Sequence, residues 1–307
     1  MNPAKMRRRW IIVALLATAL LTAYLAVLIN FRAESALELR SAENLPPTSD
    51  HVVVQLDILE IDPVMQNVRL RFFPKPAGEL QKNKLPVPGR ALTLRVDGAH
   101  VSLGSDLSER RTQTIYDDEG NMAPVDAVAV LTNGSVGNFP FDHYLFNFRL
   151  SVTTPDPADP RGYRSLPVTV EPSPDAGQAG YALSGEVTRV SAADGVTPEA
   201  VELKITVRRS PAAFWYTILL LVIAGALSIC CAAVAVVVAF DQRFFQPAFF
   251  AWMSATLFAV VGLRRVLPGN PPFGSLPDFL VFMWAEFLVA SALVSLVVAY
   301  LRRKPQP

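Results

Sequence analysis

Four long apolar runs constrain this chain more than any other feature: one at its N-terminus and three crowded into its last third. They occupy residues 10–31, 211–240, 247–263 and 279–301. A helix needs about 20 mainly apolar residues to cross a bilayer, and these runs fall in or near that class. Between the first and second lies a polar, Pro-rich stretch, residues 32–210. The pattern predicts a membrane protein with four transmembrane α-helices and one large aqueous domain.

The composition agrees, with 51% hydrophobic and only 18% charged residues among 307. A net charge of +1 lacks the concentrated basic patch that nucleic acid requires. Both cysteines, Cys230 and Cys231, are adjacent and lie inside the second run. The aqueous domain therefore has neither a disulfide nor a thiolate metal site, and at its length it can build a core without staples.

The first run continues well past the 7–15 residues of a signal h-region, and this length favours an uncleaved anchor over a cleaved signal. Lys5, Arg7, Arg8 and Arg9 precede it, and Arg302, Arg303 and Lys304 follow the last run. Both basic clusters are expected in the cytoplasm, which an even number of spans satisfies. Residues 1–9, 241–246 and 302–307 are then cytoplasmic, while 32–210 and 264–278 face outward. Arg208, Arg209, Arg264 and Arg265 fall outside, against the positive-inside bias. The expected location is the plasma membrane, multi-pass, with the lipid bilayer as the first partner.

The aqueous domain reads as short strands. Val201, Leu203, Ile205 and Val207 alternate with Glu202, Lys204, Thr206 and Arg208. The same alternation runs through Val68 to Phe72, Leu92 to Asp97 before Gly98, and Tyr144 to Ser151. Further strands are predicted at 52–61, 125–131, 166–170 and 181–190. Eight or so strands separated by Pro and Gly favour an antiparallel β-sandwich. Residues 153–162 and 172–180 read as surface loops, and 36–44 as a short helical continuation of the first run.

Candidate chemistry is sparse. His51, His100 and His143 sit on three different predicted strand ends, without a second ligand at helical or strand spacing. The run from Asp117 to Asn121 gathers oxygen ligands around Gly120 but lacks the spacing of a calcium hand, so a solvated turn is the simpler reading. Asn133-Gly134-Ser135 is formally a glycosylation sequon. No phosphate-binding glycine loop, nucleophile elbow or zinc-protease motif occurs. No cofactor is expected. Glu286 is the one acid well inside the last run. At that depth it either relays protons or cations, or stays neutral and hydrogen-bonds Ser254 or Thr256 of the neighbouring span.

The most distinctive motif is Asn138-Phe139-Pro140-Phe141-Asp142-His143-Tyr144, which opens an aromatic strand. Pro140 fixes φ and Asp142 suits a turn, so Phe139, Pro140, Phe141, Asp142 and Tyr144 read as a structural corner. A second marked place is the junction Arg208-Arg209-Ser210-Pro211, where the last strand runs almost directly into a span.

With its four runs, this corner resembles a group of bacterial and fungal membrane proteins that share a domain of unknown function. They carry an N-terminal span, an outer domain with an aromatic-Pro-Phe-Asp-x-Tyr motif, and three C-terminal spans. The resemblance implies membrane location and no established activity. Phe139 through Asp142 and the 207–211 junction are also similar to the outer domain of pentameric ligand-gated channels. This chain differs from those in having no cysteine pair around the loop, three spans after the domain, and no mid-helix proline in the first of them. Its run at 247–263 carries Phe249, Phe250, Trp252 and Phe258 with only Ser254 and Thr256 polar, whereas a pore needs a polar face. The expectation is a non-enzymatic protein whose exported β-domain binds a protein partner, forms a homo-oligomer or scaffolds an envelope complex. The alternative is a channel or transporter subunit.

Overall fold

The structure, a computed structural model, describes residues 18, 22, 25, 37–41, 50–77, 92–103, 106–107, 112–114, 123–160, 162–173, 176–190, 199–240 and 246–302. The chain divides into two compact units. One comprises Ala33–Ser135 and His143–Ser210; the other comprises Met1–Arg32, Val136–Asp142 and Pro211–Pro307.

The first unit is built from strands. In chain order these are β1 (Glu38–Ser41), β2 (His51–Asp62), β3 (Asn67–Ala77), β4 (Leu92–Asp97), β5 (Ala99–Leu103), β6 (Asp106–Leu107) and β7 (Thr112–Thr114). They continue with β8 (Val125–Val130), β9 (His143–Pro155), β10 (Tyr163–Leu166), β11 (Val168–Pro172), β12 (Tyr181–Val190) and β13 (Ala200–Arg209). One sheet has the order β1-β12-β13-β9-β4-β7, with β10 also on β9; the other has the order β11-β2-β3-β8-β5-β6.

Period-two burial explains why these segments are strands. Val52, Val54, Leu56 and Ile58 of β2 point inward, as do Val68, Leu70 and Phe72 of β3 and Tyr144, Phe146, Phe148 and Leu150 of β9. A register shift between Ile58 and Glu60 lets Ile61 turn inward as well, as a bulge does. Inward side chains from both sheets form one cluster, and Phe72 meets Phe148 edge-to-face at 5.4 Å.

Two corners carry the chain from one sheet to the other. Gly98, at φ +91°, separates β4 from β5, in the backbone region that glycine tolerates without strain. Pro167 separates β10 from β11, and its carbonyl accepts a 2.9 Å bond from the Val52 amide. The single strand predicted at 166–170 is therefore two strands in two sheets, since Pro167 cannot donate to a ladder.

Both sheets are mixed, not purely antiparallel: β1 runs parallel to β12, and β11 parallel to β2. Neither parallel pair is joined by a hairpin, so turn signals in the sequence cannot announce it. The segment expected to continue a helix at 36–44 contains β1. Leu37 is buried and Leu39 packs on the same core, so two inward leucines favour edge pairing over helix propensity. Gly185 on β12 makes room for this, because a Cβ there would lie 2.5 Å from Leu39 Cδ2. Thr153 to Pro155, read as loop, extend β9 and pair with β10; the turn itself is Asp156 to Gly162.

The second unit is helical: α1 (Pro211–Phe240), α2 (Ala248–Arg265) and α3 (Met283–Arg302), with one π-helical turn (Asp278–Phe282) leading into α3. Counting that turn, the helices have 30, 18 and 25 residues, and each is long and apolar enough to cross a membrane. Among the described residues there are thus three candidate spans, not four. The fourth expected span, residues 10–31, lies almost wholly outside them. Within it Thr18, Thr22 and Leu25 are described, helical and exposed, and the Thr22 hydroxyl donates to the Thr18 carbonyl at 2.9 Å.

The buried stripe of α1 includes Thr217, Leu220, Ala224, Ser228, Cys231, Ala235 and Val238, recurring every three or four residues. That of α3 is Ala285, Val289, Ala292 and Leu296. Small residues at this spacing let helix backbones approach closely.

Candidate functional site

The corner motif does not act as one piece. Val136–Asn138 form a 3₁₀ turn, closed by bonds from the Phe139 amide to the Val136 carbonyl and from the Phe141 amide to the Asn138 carbonyl. The Phe139–Pro140 peptide is cis. Phe139 is fully buried, and it is buried among helices: its cluster holds Leu220 and Ala224 of α1, Val260 of α2, Leu267, Phe282, and Ala285 of α3. Phe141 is exposed and meets Phe214 of α1 edge-to-face at 5.5 Å. Asp142 is 4% exposed. Two residues on, Tyr144 belongs to the sheet core instead. A Cβ on Gly134 would collide with the Tyr144 ring and the His143 carbonyl, so this turn requires glycine for space.

At the junction, β13 ends at Arg209 and α1 begins at Pro211, the helical position where a missing N–H costs nothing. Arg208 is exposed. Arg209 is 8% exposed, with its guanidinium carbon 4.5 Å from the centre of the Tyr181 ring. Ser210 is fully buried, and its amide donates to the Gly180 carbonyl at 3.0 Å.

Glu286 lies eight residues into the last helix from Asp278, about 12 Å along its axis, and is half-buried. Among the described residues its carboxyl makes no hydrogen bond or ion pair. Thr256 is buried, and its hydroxyl donates to the Trp252 carbonyl one turn back. Ser254 is half-buried on the same helix. Thr217 and Ser228 likewise bond carbonyls four residues earlier at 2.8 Å, so these hydroxyls are satisfied within their own helices.

Sequence reasoning missed the most completely built polar cluster in the helical unit. Arg264 forms a two-pronged ion pair with Asp278, Nε to Oδ1 at 3.0 Å and Nη2 to Oδ2 at 3.1 Å. Nη2 also donates to the Pro271 carbonyl at 3.0 Å. Asp278 Oδ2 accepts further bonds from the Gly274 and Ser275 amides and the Ser275 hydroxyl. The side chains are 15% and 2% exposed respectively. The pair closes the α2–α3 connection, which reverses through positive φ at Gly269, Asn270 and Gly274. An Arg followed at a distance by an Asp just after Ser-x-Pro was the only signal, and it is weak.

Outward sheet faces carry their own ion pairs. Arg71 of β3 grips Asp126 of β8 at 2.6 and 2.9 Å, Arg69 meets Glu60 at 3.3 Å, and Arg149 meets Glu202 at 3.2 Å. The hydrogen bond from Arg71 holds the Asp126 carboxyl below its ordinary value of 3.8, aided by Arg71 and Arg69 charge and opposed by burial. A carboxyl with a depressed folded-state pKa stabilises in full above its unfolded value, and loses that contribution as pH falls through the folded one. The melting temperature should therefore drop on acidification below about pH 4, with a shallower slope in Asp126→Asn. Both groups are over a third exposed, so the effect is small, at most about 1 kcal/mol.

His51 and His143 open β2 and β9, and His100 lies in β5. Among the described residues no group of three His, Cys, Asp or Glu could hold a metal ion. The stretch from Asp117 to Asn121 lies outside them. An open groove of about 290 Å³ at one end of α1 is lined by Ala233, Val234, Val237, Val238, Gln246 and Phe249. With one polar side chain, it offers apolar contact and no convergent chemistry.

Comparison with known proteins gives two family models. A domain of unknown function (DUF4436) matches residues 43–207, more than half of the chain. A second domain of unknown function (DUF8686) matches residues 209–303. The two meet where β13 passes into α1. No curated protein matches the chain.

Proposed function

This chain belongs to the DUF4436 family, and we propose that it is a non-enzymatic, multi-pass protein of the plasma membrane. Its β-sandwich stands outside the cytoplasm, where it binds a protein partner or scaffolds an envelope complex. The observation that carries this reading is the junction: a single buried residue, Ser210, separates the last strand of a fully cored β-domain from a 30-residue apolar helix. Such a domain is displayed on the membrane without a free linker.

Four spans with both termini in the cytoplasm make the orientation consistent with the basic clusters at either end. Arg208, Arg209, Arg264 and Arg265 then lie outside against the bias, with Arg264 held in its ion pair with Asp278. Protease added to sealed right-side-out vesicles should cut between Asp156 and Gly180, and inverted vesicles should be protected there. The opposite pattern would overturn the reading.

A channel or transporter subunit is the second reading, supported by the burial of Phe139 among three helices and by the half-buried Glu286 beside that cluster. Purified full-length protein in liposomes is expected to give no ion flux above empty vesicles. A flux that Glu286→Gln abolishes would replace the first reading with the second.

A further inference from the structure

Among Asp, Glu, Lys, Arg and His, the four apolar runs of the sequence hold Glu286 alone. No basic residue within them can pair with it, and Arg264 of the α2–α3 connection is already held by Asp278. About 12 Å along the last helix, a lone carboxyl is costly in hydrocarbon. Its short stem does not reach the headgroups as lysine and arginine stems do.

The side chains around Glu286 form a seam. Met283, Glu286, Ala290, Leu293 and Val297 follow one another at alternating steps of three and four residues, the spacing of a two-helix contact. At about 100° per residue they share one flank of α3, roughly a third of a turn from the stripe of Ala285, Val289, Ala292 and Leu296 that packs inside the bundle. Met283, Ala290 and Val297 are exposed, and Glu286 and Leu293 are half-buried. Ala290, one turn from Glu286, lets a second backbone come close.

We infer that α3 pairs with α3 of a second copy along this seam, the two Glu286 carboxyls facing each other. Self-complementarity singles out that occupant. Two copies inserted the same way bring their α3 helices together in parallel about a twofold axis, so each seam residue meets its own counterpart at one depth. A neutral carboxyl has an O–H donor and a free acceptor, so two of them satisfy each other, which lipid chains cannot do. A different protein would need its own polar side chain at that depth; a second copy has one by construction. This pairing rests on α3 crossing the bilayer, one part of the reading above, and adds an interface to it.

The full chain in liposomes tests this, with Cys230 and Cys231 replaced by alanine. Alkaline carbonate washing comes first: release of the protein would overturn the membrane reading and the pairing with it, whereas retention leaves only the seam at stake. Oxidation is expected to join Ala290→Cys chains into a band of two copies. Ser295→Cys, exposed on the nearly opposite flank of α3, should leave single chains. Energy transfer between donor- and acceptor-labelled protein, followed as lipid is added, measures the association itself. Glu286→Gln keeps a donor and an acceptor and should stay within about threefold of the parent. Glu286→Leu removes both and should weaken pairing about tenfold, the worth of two hydrogen bonds between helices in a membrane. Should Glu286→Leu fold poorly, the comparison of Ala290→Cys with Ser295→Cys decides, since both keep Glu286. Energy transfer no higher than random mixing gives, joining at Ser295→Cys as readily as at Ala290→Cys, or a folded Glu286→Leu that pairs as tightly as the parent would each overturn the inference.

Discussion

Replacing Asp278 by alanine is expected to lower stability by about 3–5 kcal/mol, the cost of leaving one member of a buried ion pair uncompensated. The change strands Arg264, which is only 15% exposed, and removes the acceptor of two amides and one hydroxyl in the same turn. Asp278→Asn keeps the shape but loses the charge, so its cost should be intermediate. Replacing both partners, Arg264→Met with Asp278→Leu, should recover much of the loss, since the desolvation of two charges disappears with them. Denaturant unfolding in detergent micelles measures these three variants, with Arg264→Met and Asp278→Leu alone to complete the double-mutant cycle. A double-mutant coupling below about 0.5 kcal/mol would mean that the two side chains act independently.

The helical unit and the sheet core were legible because their signals are periodic. An apolar run long enough to cross a bilayer, or alternation such as that of Val201 to Arg208, depends only on a segment and its solvent. What was not legible depends on a second, distant segment. The parallel pairing of β1 with β12 joins Leu39 to Gly185 across most of the domain, and nothing near Leu39 announces it. The short run at 36–44 carries Leu37 and Leu39 at a spacing that any amphipathic fragment can show, so the partner strand decides. Pro167 was visible as a breaker, but not as a passage between sheets. The Arg264–Asp278 pair was hidden for another reason: both ends of the α2–α3 connection are polar, and polarity at a loop ordinarily signals solvent. Only the burial of Asp278 to 1% exposure distinguishes a closed clasp from a wet turn.

The residues of the corner motif divide between two surroundings, Tyr144 in the sheet core and Phe139 among helices. Phe139 is the informative member, and Phe139→Ala is expected to destabilise the helical unit by about 2–4 kcal/mol. Large-to-small changes at a fully buried Phe in a water-soluble core cost about 3–5 kcal/mol, combining transfer from water with the cavity left behind. Helices parting in a bilayer expose their contacts to hydrocarbon, so the transfer part shrinks and the cavity part dominates. Phe139→Leu retains most of the volume and should cost less than about 1.5 kcal/mol. Phe141→Ala, at a residue 60% exposed, should lose only its edge contact with Phe214, about 0.5–1.5 kcal/mol. Thermal unfolding followed by helical circular dichroism ranks the three. A Phe139→Ala protein that melts with the parent would show that the cluster of Leu220, Ala224, Val260 and Phe282 closes without the motif. The support that Phe139 lends to a coupled, transporter-like reading would then be gone, while the displayed-domain reading, which rests on the junction at Ser210, would stand.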